Sequence, residues 1–458
     1  MPITQSDFEE TYALLQSLVQ TKCVNPPGNE LPAIKVIESF LKNKGITNIF
    51  ISESASNRAN LFSVIEGSDS HADAMLLGPA HVDVVPISNR NDWSTDPFAG
   101  TMKDGFIYGR GVLDMLFIVA SQVVAFCKIY TEKKQLKGDL MLLIVADEES
   151  GGRYGTNYFL RHHIELLKPD QRKIYAITEG GGSVLYHKLL LLRVGERGVF
   201  WKRLSFKGTP GHGAFPYMSN NAVYKASKAA TQLYDYVHTS MPSVTEPVRM
   251  YLESLAEFDP DVKNLLDDET FNKNIVSYYN TNKKVASSLF SITHLTFSPN
   301  IVEGGNKVNT VPGMAHLDVD IRTLPGQDDE YVLHHLRKAL GKDLHPEISS
   351  IVDKDDVQLG SMSPPTPEES TFVTAIHKAV AMELPDVKIV PSIVGGGTDA
   401  RFCRAVGLDA YGFAVTNPNL EPGELGPAHG IDEKIDLKSI DLTLQAYYNL
   451  INLFLIQN

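Results

Sequence analysis

The stretch "LLGPAHVDVVP" at positions 76–86 is an apolar run that nevertheless keeps His81 and Asp83. A continuous apolar run of this kind is typical of a strand buried on both faces of a parallel sheet. Residues two apart in a strand point to the same side, so Asp83 could hold the ring nitrogen of His81 that is not used for metal ligation. A polar pair at a strand end is the alternative interpretation.

Similar apolar runs recur along the chain, and helical patterns such as "DMLFIVASQVVAFCKIY" separate several of them. This alternation predicts an α/β fold, with a mainly parallel sheet flanked by helices. Near Val194 the pattern changes to alternating strands and two helices, which predicts a small α+β domain. We therefore expect a catalytic domain of residues 1–193 and 362–458, interrupted by an inserted domain of residues 194–361. The polar stretch 245–284 shows no clear strand pattern.

Composition limits the function classes. The chain has 458 residues, and its 55 acidic and 42 basic residues give a net charge of −13, which argues against nucleic acid or an anionic membrane as the main partner. The N-terminus lacks a signal-peptide pattern and the chain has no run of 18 apolar residues, so we expect neither a signal peptide nor a membrane span. Three scattered cysteines fit a reducing cytoplasm.

The stretch "LLIVADEESGG" (142–152) runs from a buried-strand pattern into Asp147, Glu148 and Glu149. Three adjacent carboxylates repel one another unless a cation or protons compensate. Because neighbouring side chains diverge, one acid could bind a metal while the next faces a water as general base. A solvated strand end is the alternative.

Further candidate ligands follow other strands or lie in loops. Asp114 opens a helix and could equally be its cap. Glu179 precedes three glycines, and His429 lies in a Gly-flanked loop. The carboxyl edge of an open α/β sheet is where such folds place their sites. Mixed histidine and carboxylate ligands suit Zn²⁺, with Co²⁺ and Mn²⁺ as alternatives, and two metals that share a bridging carboxylate fit the count better than one.

Taken in order, eight short motifs resemble one family, and the resemblance covers nearly the whole chain. The motifs are "AHVDVVP", "DPFAGTMKDGFIYGRGVLDM", "DEESGG", "TEGGG", "GTPGHGAFP", "NTVPGMAHLDVDIR", "GGGTDAR" and "AHGIDE". They resemble the aminoacylase, glutamate carboxypeptidase and succinyl-diaminopimelate desuccinylase family of di-zinc metallohydrolases (peptidase family M20). Each motif is weak alone, but eight in the family's order are strong.

The resemblance implies two zinc ions per subunit and a role for each matching residue. Glu148 would be the general base, Asp83 would orient one ligand, and the Asp114–Met115 peptide bond would be cis. Asp114 would bridge both metals. The implied metal ligands are His81, Asp114, Glu149, Glu179 and His429.

The resemblance also implies that the inserted domain is a lid carrying a homodimer interface. His212 would then reach the partner subunit's site and help to polarise the scissile carbonyl, although a plain loop histidine is the alternative. Arg322 would grip a substrate carboxylate, with a salt bridge inside the lid as the alternative. Asn309, Gly397 and Thr398 would line the same substrate pocket.

Some features leave the substrate open. Leu116 and Phe117 replace the Lys and Gly usual in the family, which hints at an apolar group near the site. Asp399 and Glu433 match family motifs, but a structural role is as good an explanation. We expect an amide hydrolase that acts next to a free carboxylate, most simply an N-acyl-amino-acid amidohydrolase. A dipeptidase or metallocarboxypeptidase, and a non-catalytic metal-binding dimer scaffold, are the alternatives.

Overall fold

The structure is a computed structural model that describes residues 2–267, 269–351, 365–421 and 423–456. The chain divides into two compact units. Unit 1 comprises Met1–Val194, Thr366–Ser392 and Thr398–Asn458, and unit 2 comprises Gly195–Pro365 and Ile393–Gly397. The short segment 393–397 therefore groups with unit 2, whereas the sequence pattern placed it in the catalytic domain.

The elements are numbered in chain order. The strands are β1 Ile49–Ala55, β2 Arg58–Ile65, β3 Ala74–His81, β4 Thr101–Lys103, β5 Phe106–Tyr108, β6 Leu140–Val145, β7 Ile174–Thr178, β8 Val184–Leu185, β9 Leu189–Glu196, β10 Gly198–Lys207, β11 Gly211–His212, β12 Thr296–Gly304, β13 Thr310–Val311, β14 Met314–Thr323, β15 Glu347–Ser350, β16 Lys388–Val394, β17 Asp409–Gly412 and β18 Lys434–Asp436. The α-helices are α1 Gln5–Gln20, α2 Leu31–Asn43, α3 Phe117–Thr131, α4 Thr156–His163, α5 Ala222–Thr239, α6 Glu246–Ala256, α7 Phe271–Thr281, α8 Lys283–Thr293, α9 Asp329–Leu340, α10 Thr371–Ala381, α11 Ala400–Ala405 and α12 Leu437–Leu455.

The main sheet has nine strands in the order β1-β2-β6-β3-β7-β17-β9-β16, with β8 paired to β9. Its centre is parallel, because β6, β3, β7 and β17 all run the same way. Antiparallel pairs occur where β1 meets β2, β2 meets β6, and β17 meets β9. Every residue of β3 and β6 is buried, as expected for strands covered on both faces. The predicted α/β fold with a mainly parallel sheet is confirmed.

The register of the central strands brings their carboxyl ends to one edge. His81 at the end of β3 pairs with Val145 at the end of β6, and β3 pairs on its other side with β7. The residues that follow β6 and β7 include Glu148 and Glu179. The sheet thus collects the histidine and the carboxylates that lie far apart in sequence.

Helix α3 is apolar on nearly every face and packs against α1, α12, β3 and β6. Val112–Thr131, which includes α3, is the one helical stretch in the described residues that is long and apolar enough to cross a membrane. However, 83% of its apolar window is buried inside the protein, as in the core helix of a folded domain. Leu116 and Phe117 are both buried in the core of unit 1, so they do not support an apolar substrate group.

A small three-stranded sheet of unit 1 has the order β18-β5-β4 and is antiparallel throughout. It joins the segment before Asp114 to the segment after His429, because Tyr108 of β5 pairs with Lys434 of β18. Two distant parts of the chain are therefore fixed side by side.

Unit 2 contains the predicted inserted α+β structure. Its antiparallel sheet has the order β12-β14-β10-β15, and helices α5 and α9 contribute to the core formed with it. The polar stretch 245–284 contains α6, a short 3₁₀ segment Pro260–Leu265, and α7. These helices bury apolar residues such as Leu252, Val262 and Phe271, so the stretch forms a packed helical cluster.

Candidate metal centre

His81 is the first residue of the candidate site. Its side chain is 1% exposed at the end of β3. Nδ1 lies 3.0 Å from the backbone carbonyl oxygen of Asp83 and 3.5 Å from its Oδ1. A ring that donates through Nδ1 leaves the Nε2 lone pair free for a metal. Asp83 thus orients His81, although its carbonyl oxygen is nearer to the ring than its carboxylate.

The Asp83 carboxylate also fixes the loop after β6. It is fully buried, and it accepts the backbone N–H groups of Glu148 at 3.2 Å and Glu149 at 3.1 Å, together with the Asn25 side chain at 2.8 Å. Burial alone would raise the pKa of Asp83, but the hydrogen bonds from His81 and its other donors hold it below the usual value. One ionised carboxylate therefore positions a predicted ligand and the predicted base.

Asp147 explains how three adjacent acids coexist. Its backbone is left-handed at φ 70°, and its carboxylate turns to Arg58, 2.8 Å away, and to the Asn25 side chain at 3.1 Å. Arg58 also pairs with buried Glu30. Asp147 therefore has a structural role, and Glu148 and Glu149 are left to face the site.

Asp114 lies between the two predicted histidine ligands. Its Oδ1 is 3.3 Å from Nε2 of His81, and its Oδ2 is 3.4 Å from Nε2 of His429. Glu179 Oε2 lies 3.5 Å from His81 Nε2, and Glu149 Oε1 lies 3.0 Å from His429 Nε2. The Asp114–Met115 peptide bond is cis, as the resemblance implied. The structure thus brings together all five predicted ligands.

The electrostatics of the cluster call for added positive charge. Burial, reinforced by the Glu179 carboxylate, raises the pKa of Glu148 well above its usual value. Burial, reinforced by Asp114, raises the pKa of Glu179 to about 8. Hydrogen bonds to Asp114 and Glu149 raise the pKa of His429 to about 10. Carboxylates crowded in this way hold protons unless a cation replaces them, so the donor set fits a metal.

The potential ligand atoms are close enough to share a cation. Those of His81, Asp114 and Glu149 all lie within 4.8 Å of one another, and so do those of His81, Glu148 and Glu179. Imidazole nitrogen and carboxylate oxygen are ligands that Zn²⁺ and similar divalent metals accept. The residues therefore form a candidate metal site.

A buried ion pair beside the site was not predicted. Arg110 Nη1 lies 2.6 Å from Glu433 Oε2, and Arg110 Nη2 donates to the His429 carbonyl oxygen at 3.0 Å. Glu433 Oε1 accepts the N–H of Leu113 at 2.9 Å and that of Asp114 at 3.3 Å. Glu433 and Arg110 each lie within a motif quoted for the family resemblance, "AHGIDE" and "DPFAGTMKDGFIYGRGVLDM", but the sequence did not show that they pair, and no motif pointed to Asn25 or Arg58.

Asp399 and Thr398 lie in unit 1, where both are buried. Asp399 Oδ2 accepts the Thr156 hydroxyl at 2.7 Å, and burial raises the pKa of Asp399 to about 6. Thr398 Oγ1 accepts the N–H of Ala400 at 3.3 Å, at the start of α11. The roles of Thr398 and Gly397 in substrate binding stay predictions.

The predicted substrate residues of unit 2 are partly brought together. His212 in β11 pairs with Thr310 in β13, and the Gly213 N–H donates to the Asn309 carbonyl oxygen at 2.9 Å. His212 is exposed, and Asn309 immediately precedes Thr310, the residue of β13 that pairs with His212. Arg322 instead donates to Asp320 through Nε at 2.8 Å and Nη2 at 3.2 Å. Arg322 thus forms the salt bridge that was the alternative, and its substrate role stays a prediction.

Comparison with known proteins gives a consistent result. The model of the family described as peptidase family M20/M25/M40 matches residues 79–453. An N-fatty-acyl-amino acid synthase/hydrolase of Danio rerio is 25% identical over 87% of this chain and 75% of its own length. A succinyl-diaminopimelate desuccinylase of Hydrogenovibrio crunogenus is 24% identical over 97% of this chain and 99% of its own length. The crystal structure of an M20 family metallo-carboxypeptidase from Sulfolobus solfataricus superposes with a TM-score of 0.68 at 18% identity, covering 97% of this chain and 99% of that one.

Proposed function

The chain belongs to peptidase family M20/M25/M40 and is a metallohydrolase of amide or peptide bonds, and on this premise we propose that it is an N-acyl-amino-acid amidohydrolase. The observation that carries the proposal is the placement of Asp114, with one carboxylate oxygen near each of two histidines. The Danio rerio relative, named for N-fatty-acyl amino acids, supports this substrate class.

The proposed cofactors are two Zn²⁺ ions per subunit, with Co²⁺ or Mn²⁺ as alternatives. His81, Asp114 and Glu179 would hold one ion, and Asp114, Glu149 and His429 would hold the other. Bound divalent metals would polarise the scissile carbonyl and lower the pKa of a water towards neutrality.

Glu148 would act as general base and then as general acid. Its carboxylate takes a proton from the attacking water, the oxygen adds to the carbonyl carbon, and the C–N bond breaks as Glu148 returns the proton to the leaving amine. Asp83 supports this role, because it holds the Glu148 backbone N–H at 3.2 Å. Asp83 is thus a positioning residue for the base.

The substrate carboxylate would be bound by unit 2. We propose that Arg322 exchanges Asp320 for the carboxylate of the amino acid, which a guanidinium binds with two parallel hydrogen bonds. Asn309, Gly397 and Thr398 would line the same pocket. His212 of the partner subunit would stabilise the developing oxyanion, a contribution of about 2.7–4 kcal/mol for such donors.

A dipeptidase or metallocarboxypeptidase is the second candidate, since a solved structural neighbour is a metallo-carboxypeptidase. It would use the same centre and the same carboxylate contact, and it differs only in the group on the amine side of the bond. Substrate choice therefore separates the two.

Location and assembly are also proposals. We propose a cytoplasmic enzyme, which the three free, buried cysteines support. We propose a homodimer formed through unit 2, which the exposed apolar side chains of Tyr217, Met218 and Val308 support. Light scattering on the purified protein would test the dimer, and a monomer at micromolar concentration would exclude it.

A substrate panel tests the function. It compares N-acyl amino acids of short and long acyl chain, free dipeptides, and carboxyl-amidated versions of each, with and without chelator. We expect chelator-sensitive release of amino acid from N-acyl amino acids with a free carboxylate. Faster turnover of dipeptides would favour the second candidate, and equal turnover of the amidated substrates would refute the carboxylate contact.

A further inference from the structure

The Arg110–Glu433 ion pair is a fixed part of unit 1. Both side chains are at most 3% exposed, and Nη1 and Oε2 are 2.6 Å apart. The pairing of β5 with β18 brings the two residues together, and the Gly109 N–H donates to the Glu433 carbonyl oxygen at 3.0 Å. The guanidinium also lies over the Trp93 ring, with its carbon 5.2 Å from the ring centre.

Each partner of the pair also holds the backbone of a proposed metal ligand. Glu433 accepts the N–H groups of Leu113 and Asp114 at 2.9 and 3.3 Å. Arg110 donates to the carbonyl oxygen of His429 at 3.0 Å. One buried ion pair is therefore hydrogen-bonded to the backbone of both Asp114 and His429, whose side chains lie 3.4 Å apart.

His429 depends on this support more than the other ligands do. Its side chain is 48% exposed, whereas that of His81 is 1% exposed at the end of a central strand. His429 lies in a loop and has a left-handed backbone at φ 64°. Because nearly half of the side chain is exposed, the position of the imidazole depends strongly on its backbone, and Arg110 holds the carbonyl oxygen of that backbone.

We propose that the Arg110–Glu433 pair is a positioning device that sets the separation of Asp114 and His429 and so controls the affinity for the metal on the His429 side. The inference rests on the metal centre of the proposed function. It predicts an asymmetric effect, because the metal on the His81 side would keep two ligands, His81 and Glu179, that the pair does not touch.

Conservative substitutions separate this role from simple stability. Arg110→Lys keeps a cation, but an ammonium group lacks the two guanidinium nitrogens that bond Glu433 and the His429 carbonyl oxygen at the same time. Glu433→Gln keeps an acceptor for the Leu113 and Asp114 N–H groups and loses the negative charge. The matched control is a second buried ion pair of unit 1, Arg172–Asp139.

The control pair has the same chemistry away from the centre. Arg172 Nη2 and Asp139 Oδ2 are 2.7 Å apart, the side chains are 1% and 7% exposed, and Asp139 accepts the Gly67 N–H at 2.7 Å. Neither residue bonds a proposed ligand in the described part of the chain. Arg172→Lys and Asp139→Asn should therefore lower stability without altering the metal centre.

The experiment titrates Zn²⁺ into chelator-stripped, full-length protein by calorimetry and follows Co²⁺ binding by visible absorption. For Arg110→Lys and Glu433→Gln we expect one metal with wild-type affinity and a second bound roughly 10–100-fold more weakly, the range typical of substitutions behind a ligand. Added metal should restore kcat. The control variants should unfold at lower urea concentration yet bind both metals like the wild type.

Two results would overturn the inference. The first is wild-type affinity for both metals in Arg110→Lys and Glu433→Gln, and the second is equal weakening in the control variants. A wild-type protein that binds no metal would refute the proposed metal centre as well, so the two failures are distinguishable. Should Glu433→Gln not fold, Arg110→Lys decides the question, since it keeps the buried cation.

Discussion

Asp83→Asn tests the buried hydrogen-bond network with almost no change of shape. The wild-type carboxylate meets only donors: Oδ2 accepts from the Asn25 side chain and the Glu149 N–H, and Oδ1 accepts from the Glu148 N–H. Oδ1 also lies 3.5 Å from Nδ1 of His81. The amide of the Asp83→Asn variant would replace one acceptor oxygen by an NH₂ group. In either orientation of the amide, this NH₂ donor would face another N–H donor.

The better orientation keeps the amide oxygen toward Asn25 and Glu149. It leaves the Glu148 N–H without an acceptor in a buried site. A hydrogen bond to a charged group contributes about 1.5–3 kcal/mol, and a stranded buried donor costs about 1–3 kcal/mol. We therefore expect a loss of about 3 kcal/mol in the free energy of unfolding, roughly two orders of magnitude in the folding equilibrium. Metal affinity should fall about 10–100-fold as well.

Urea unfolding of chelator-stripped protein at pH 7 measures the change in the free energy of unfolding, and calorimetric titration with Zn²⁺ measures the change in metal affinity. Because the folded-state pKa of Asp83 is lowered, its stabilisation is present above the unfolded pKa and is lost as the pH falls through the folded one. The difference between wild type and variant should thus shrink in acid. A loss below about 1 kcal/mol with unchanged metal affinity would refute the reasoning.

Three further predictions follow from the site. Glu148→Gln should keep its metals and lower kcat about 10²–10⁴-fold, measured by turnover beside metal analysis, and an unchanged kcat would exclude Glu148 as the base. With the pKa of Glu179 raised to about 8 and that of His429 to about 10, the contribution of these groups to metal-free stability should fall as the pH rises through those values. Metal binding at pH 7 should therefore release protons, which calorimetry in buffers of different ionisation enthalpy detects, and zero release would contradict the assignment. Asp320→Asn should free Arg322 and lower KM for free-carboxylate substrates relative to amidated ones, and an equal change for both would show that Arg322 does not bind the carboxylate.

The central sheet and the residues at its edge could be predicted from the sequence. Buried strands are recognisable in the sequence as apolar runs. His81, Glu149 and Glu179 lie at or just beyond the ends of such runs. Parallel pairing then forces these residues to one edge. The side chains of adjacent residues point in different directions, and this too could be predicted from the local sequence. Accordingly, the carboxylate of Asp147 contacts Arg58, away from Glu148 and Glu149.

The contacts of the supporting residues could not be predicted, because their partners are remote in sequence. Arg110 and Glu433 are 323 positions apart and meet only through the pairing of β5 with β18. Asn25 is bonded to Asp83 and Asp147 from a loop whose sequence gives no sign of either contact. From the sequence, Arg322 could bind either a nearby acidic side chain or a substrate carboxylate. The sequence does not show which, and the structure pairs Arg322 with Asp320.

The distance in sequence between Asp114 and His429 has a consequence for biosynthesis. Chains are made at about 5–20 residues per second, so roughly 15–60 s pass between the two ligands on the ribosome. During that interval the nascent chain carries His81 and Asp114 and gains Glu149 and Glu179, but it still lacks Glu433 and β18. A metal bound at this stage would lack the His429 ligand and would be more accessible to chelators. The order of synthesis therefore makes completion of the proposed second metal position a late event in the maturation of the enzyme.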